Sequence, residues 1–334
     1  MKYLFTLICS VCLFGGGVGF GQQHFIAWSD KFHDNIFKVQ QVGFSSDSRY
    51  VAMGYRNGEV RVYTVDSGIL MRSATVLEKH VYCTKFLPGT SVIACGDGTG
   101  ALALYDFMAD SVLWRARAHD KAITAMAVGG NGSLLLTGSK DKMIKMWRMP
   151  KDSLLSQVYY RKGKVQSLYL AGDNQTLIAG VTGINRGLRM FDMNGEAEVN
   201  NVDIANVEHI AVSPDGSTVA VAALEKKLML FNLRMNRVVK QLKGHKRSLA
   251  DVCYDNTGRV MYSVGRDNRV LAWLADGSKH MSIFNAKSTI DVVACSPDGK
   301  YLIAMATSGV FTVINVAHIE EELKVYVPME LEQN

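Results

Sequence analysis

Three residues in the last third of the chain, His245, Ser263 and Asp267, have the side chains of a nucleophilic hydrolase. Such chemistry needs a hydroxyl nucleophile, an imidazole base to take its proton, and a carboxylate to orient the imidazole. A near copy of the set, His119, Thr137 and Asp141, lies earlier. Each set runs into a tryptophan, Trp273 and Trp147, and the distances to it are the same: 28, 10 and 6 residues. One active centre has no need of a spaced duplicate. Equal spacing in two places points to a structural use of these polar groups, because buried polar side chains are tolerated when they satisfy one another.

The elements that would position the two sets come from a repeat. A short apolar strand, in most copies ending on an aromatic residue, returns along most of the chain at Val60–Tyr63, Leu102–Tyr105, Ile144–Trp147, Leu188–Phe191, Leu228–Phe231, Val270–Trp273 and Val310–Ile314. The end residues are separated by 42, 42, 44, 40, 42 and 41 positions. A fixed period of this size marks a repeat architecture. Within one period, Ile123–Val128, Leu134–Gly138, Met143–Trp147 and Leu154–Tyr160 read as four strands. They are separated by turns rich in glycine, asparagine, aspartate and lysine. Ser213-Pro214-Asp215-Gly216 and Ser296-Pro297-Asp298-Gly299 supply tight turns, with proline presetting φ and glycine accepting positive φ.

With its tryptophan-terminated polar sets, its period and its turns, the chain resembles the WD-repeat (WD40-type) β-propeller family over roughly residues 33 to 316. The resemblance implies an all-β, seven-bladed propeller of four-stranded blades over residues 22–334. It also implies that His119, Thr137, Asp141 and Trp147, like His245, Ser263, Asp267 and Trp273, form structural hydrogen-bonded networks. The other blades depart from the pattern. Blade one has His33 and Asn57 with Tyr63 in the tryptophan position, blade two His80 with Tyr105, and blades four, five and seven end on Phe191, Phe231 and Ile314. These blades are expected to depend more on packing. Ring closure needs one more outer strand, and both residues 24–28 and residues 323–327 are candidates.

Composition sets the remaining bounds. Hydrophobic residues make up 48% of the 334 and charged residues 20%, which describes a globular chain. Lys2, the apolar run from Tyr3 to Phe20 and the small residues Gly19 and Gly21 have the layout of a secretory signal peptide over 1–21. An uncleaved membrane anchor is the alternative. This leads to an expectation of export, to a periplasm, cell envelope or extracellular space, with no stable membrane insertion after cleavage. Export would oxidise thiols, and Cys83 and Cys95 flank a predicted hairpin, making a disulfide conceivable; small apolar core residues are the other reading. No phosphate loop, haem attachment motif, metal-protease motif or calcium loop is present, so no cofactor and no metal is expected.

Charge is the last signal. The turns between second and third strands and the loops entering each blade share one face of a propeller. Arg56, Lys140, Arg186, Arg247 and Arg266 fall there, while aspartates collect on the opposite face. Such segregation steers an acidic partner. The expected function is therefore an exported interaction scaffold, not an enzyme, whose basic face binds an acidic protein or part of an envelope complex, with no nucleic acid. The alternatives are an enzyme or small-molecule binder using the central funnel, and a structural subunit of an envelope secretion or adhesion complex.

Overall fold

The computed structural model describes residues 26–31, 41–149, 153–159, 163–171, 174–183, 186–193 and 197–326. They form seven four-stranded antiparallel sheets. Blade three shows the common plan: Ile123–Gly129 innermost, then Leu134–Ser139, Met143–Arg148 and Ser153–Tyr159 outward. The inner strands of successive blades pack side by side around the axis. Period-two alternation explains the choice of strand. In Ala101–Asp106 and Arg269–Leu274 both faces are apolar and buried, as a strand sandwiched between neighbouring blades requires. Outer strands such as Ser111–Arg117 alternate exposed and half-buried positions, because only one side still meets protein.

Burial follows the ring. Seven apolar clusters occupy the seven gaps between consecutive blades. The gap between blades seven and one is filled like the rest, by Val42, Val51, Met53, Tyr63, Ile303, Phe311 and Val313. The ring is closed.

Its closing strand comes from the start of the described chain. Ile26–Lys31 pairs antiparallel with Val310–Asn315 and completes blade seven. Trp28 then reaches across the gap: its indole N–H donates to the Val65 carbonyl at 2.6 Å, and its ring meets Phe311 and Tyr63. Gly68, at φ +69°, leaves room for that ring, since a β-carbon there would approach it to 2.6 Å. The competing candidate is not a strand. Leu323 belongs to a short helix, Ile319–Val325, whose Ile319 and Leu323 are buried against the core between blades six and seven.

The Cys83–Cys95 pairing does not form. Both thiols are free. Strand register explains this, because Cys83 lies opposite Gly96 while Cys95 lies opposite Thr84. Successive residues of a strand face opposite sides, so the two thiols enter different gaps, one toward blade three and one toward blade one.

Candidate functional site

Each polar set comes together within its own blade. In blade three, His119 Nδ1 lies 2.9 Å from Asp141 Oδ2 and His119 Nε2 lies 2.8 Å from Thr137 Oγ1. Trp147 donates its indole N–H to the same threonine oxygen at 2.9 Å. Blade six repeats this with His245, Asp267, Ser263 and Trp273 at 2.8, 2.8 and 2.7 Å. For a neutral imidazole the donor and acceptor inventory has a single solution. The carboxylate accepts from Nδ1–H, the hydroxyl accepts from tryptophan, and the hydroxyl proton is donated to Nε2.

Asp141 also accepts the backbone N–H groups of Asp120 and Met143, and Asp267 accepts that of Lys246 and the Arg269 guanidinium. Burial pushes the Asp267 carboxyl up, but the hydrogen bonds from His245, Lys246 and Arg269 outweigh it and hold the group well below the usual range. Burial likewise lowers His119, the Asp141 charge notwithstanding. Thr137 and Ser263 are 0% exposed. A hydroxyl that is sealed from solvent, accepting from tryptophan and donating to histidine, has no approach for a substrate. These sets fasten the loop entering a blade to its second and third strands.

In blade one, whose His33 lies outside the described residues, other groups are linked. The Tyr55 and Tyr63 hydroxyls lie 3.0 Å apart, Arg61 sits 4.3 Å above the Tyr55 ring, and Glu59 pairs with Arg61. In blade two His80 stacks on Tyr82 with centroids 4.5 Å apart, and Asp97 accepts the N–H groups of Thr99 and Ala101. That capped turn is the glycine-rich run 96–100. Gly100 is required in it: at φ +96° a β-carbon would lie 2.0 Å from the His119 carbonyl oxygen.

Two further polar links bind the inner strands and were not legible as a pair from residue type alone. His209 Nδ1 lies 2.6 Å from Asp251 Oδ1, and Asp251 Oδ2 accepts the Val293 N–H at 2.9 Å, joining blades five, six and seven. The Gln41 side chain both accepts from and donates to the Met126 backbone at 3.2 Å, linking blades one and three. The signal was the period, since His209 and Asp251 stand 42 residues apart, at one position of successive repeats.

The charged surface divides in two. Arg56, Lys140, Arg186 and Arg266 lie at the turns between second and third strands, and Arg247 lies in the loop entering blade six. These turns and loops are bonded together on one face, as where Ala118 and His119 donate to Gly100 and Arg266 donates to Ser248. Arg56, Arg186, Arg247 and Arg266 are exposed. Arg186 approaches Asp203 at 3.7 Å, whereas Arg247 and Arg266 form no ion pair among the described residues. On the opposite face the aspartates are occupied locally. Asp47, Asp215, Asp276 and Asp298 accept from serines or backbone groups of their own turns.

A family model for the WD domain, G-beta repeat, matches residues 111–148 and 236–273. The matched stretches end on the blades that carry both complete networks, and the propeller around them has seven blades. The chain carries WD repeats in a seven-bladed β-propeller. Among relatives, it is 20% identical to periodic tryptophan protein 2 of Saccharomyces cerevisiae over 85% of this chain and 31% of that protein. It is 20% identical to the U3 small nucleolar RNA-associated protein 15 homolog of Gallus gallus, over 85% and 54%. With human WD repeat-containing protein 55 it shares 24% identity, over 74% and 64%. The chain thus spans about a third of the first of these relatives. Each matched WD repeat starts in the outer strand of one blade and ends in the third strand of the next: 111–148 runs from Ser111–Arg117 of blade two to Met143–Arg148 of blade three.

These relatives correct the expectation of export. Proteins named for a small nucleolar RNA do not work in a periplasm, envelope or extracellular space, so a secreted or membrane-anchored WD-repeat protein in an envelope complex is withdrawn. Residues 1–21, on which that expectation rested, lie outside the described residues, and no described helix is long and apolar enough to cross a membrane. What stands is the WD-repeat propeller scaffold.

Proposed function

We propose that this WD-repeat propeller is a rigid docking platform whose basic face receives an acidic protein partner within a ribonucleoprotein assembly. The segregation of charge carries this reading. Aspartates on one face are engaged in turns, while the guanidinium groups of Arg247 and Arg266 on the other make no turn bond, network or ion pair among the described residues. Cations not needed by the fold are free to steer and hold an acidic surface. Relatives named as U3 small nucleolar RNA-associated proteins support the ribonucleoprotein setting. Chemistry at the His-Ser-Asp set is disfavoured by its burial.

Crosslinking and affinity purification from the native host identify the partner. Lys140, Arg186 and Arg266 are then reversed together to glutamate. The expected result is loss of that partner and of the salt dependence of binding. Unchanged affinity and salt dependence overturn the reading.

A further inference from the structure

The innermost strand of blade two, Val81–Phe86, carries one charged residue, Lys85. Thr84 and Phe86, on either side of it, turn toward blade one: Thr84 Oγ1 donates to the Ala52 carbonyl at 2.8 Å, and Phe86 joins the apolar gap there. Lys85 alternates with them and shares the side of Cys83. Its charge opposes protonation of His209, which stands on the innermost strand of blade five. Along the ring of inner strands, those of blades three and four come between the two residues. Lys85 and His209 therefore sense each other across the axis, and the ammonium lies in the central channel.

The fold supplies nothing to answer this cation. Lys85 is half-buried, and it forms no hydrogen bond or ion pair among the described residues. Burial lowers its amine from the ordinary value, and no neighbouring charge opposes that. Other polar side chains of the inner strands are committed. Gln41 Oε1 accepts the Met126 N–H, Asp251 Oδ2 accepts the Val293 N–H, and Asp251 Oδ1 lies against His209. Strand register places Gly43, Ala127, Ala211, Cys253 and Ala294 at the level of Lys85 in five other blades. None of these is long enough to cross the channel. An enclosed charge without a partner costs stability unless a countercharge comes from outside the fold.

We propose that the central channel binds a short-chain monocarboxylate, with the Lys85 ammonium as its hydrogen-bond donor and countercharge. The site is separate from the docking face and does not depend on it. A lysine ammonium offers three donors and a single charge. A carboxylate answers it with two acceptor oxygens and a charge of the same size, in a charge-assisted hydrogen bond. Ala127, Ala211 and Ala294 at this level are apolar and suit an alkyl tail. A dianion such as sulfate brings a second negative charge into a channel that already holds Asp251, and repulsion between like charges disfavours it.

Saturation-transfer NMR with acetate reads binding to the full chain, and Tm is followed in acetate, chloride and sulfate at one ionic strength. Acetate is expected to give a transfer signal and a saturable rise in Tm, with binding about tenfold tighter than that of chloride. Lys85→Met keeps the length of the side chain and removes its charge, so both responses should be lost; Lys85→Arg should keep them. Arg247→Glu, on the docking face, should leave both unchanged, so loss of partner docking and loss of the channel site are read separately. A further measurement needs no variant. Reductive methylation mapped by mass spectrometry should be slowed by acetate at Lys85 and not at the exposed Lys246. Acetate responses that survive in Lys85→Met, an equal response to chloride, or methylation of Lys85 that acetate does not slow overturns the proposal. So does tighter binding of sulfate than of acetate.

Discussion

Trp28 and Val65 are joined by an indole-to-carbonyl hydrogen bond of 2.6 Å across the seam where the propeller ring closes. The bond connects the last blade's outer strand to the first blade, and the tryptophan ring fills the seam beside Phe311 and Tyr63. Trp28→Ala therefore removes packing and a hydrogen bond at the seam where the two ends of the described chain meet in one blade. Destabilisation of about 3 kcal/mol is expected. Urea unfolding monitored by circular dichroism measures it, and a change below about 1 kcal/mol would contradict a closing role.

Ser263→Ala leaves two groups without a partner, the Trp273 indole N–H and the His245 Nε2. Buried unsatisfied groups cost about 1–3 kcal/mol each, so the variant should lose about 2 kcal/mol or more. The same change at an exposed serine such as Ser67 should lose almost nothing. A general esterase substrate distinguishes this from a catalytic role, since any turnover by the native protein should be the same in the variant.

The pH profile should fall at both ends for different reasons. Asp267 has a folded pKa below its ordinary 3.8, so its stabilisation is present above that value and lost as pH falls through the depressed range. His119 is also depressed, so protons favour the unfolded chain once pH drops below about 6.5. His209 goes the other way. Burial lowers it, but the Asp251 charge and hydrogen bond outweigh burial and nearby Lys85 and raise it. Its contribution is complete below 6.5 and disappears as pH rises through the raised value. Thermal melts from pH 3 to 9 should show a flatter acid limb in Asp267→Asn and a flatter alkaline limb in His209→Gln.

Burial pushes the Cys83 and Cys95 thiols far up from their ordinary value. Neither should react with a thiol reagent at pH 8 until the protein unfolds, and a reductant should leave Tm unchanged. A fall in Tm on reduction would show that a disulfide had been present.

Much of this architecture could be read in the chain. The 42-residue period and the turns located blades and strands closely, because every copy of a strand meets the same environment and repeats the same residue types. His119 and His245 could be placed in networks for that reason. The failures occur where the chain does not repeat. Residues 24–28 and 323–327 are both short and largely apolar, and what separates them is Trp28, which needs a particular seam, against Ile319 and Leu323, which suit one face of a helix. Blade one's Tyr55–Tyr63 link uses chemistry that the other blades do not repeat, so the period gave no cue to it. The segment before Ile26 misled about location, because an apolar run followed by small residues reads as a leader whatever its actual use.

The matched WD repeats run out of step with the blades, each contributing an edge strand to one sheet and three strands to the next. A gene-level duplication or loss of one such unit would therefore leave no sheet with a missing edge, because neighbours re-pair across the junction. Removing a blade by its spatial boundary would cut through two units and expose an unpaired edge. The natural step by which such rings change size is the staggered unit, and engineered shorter rings should be cut at that offset.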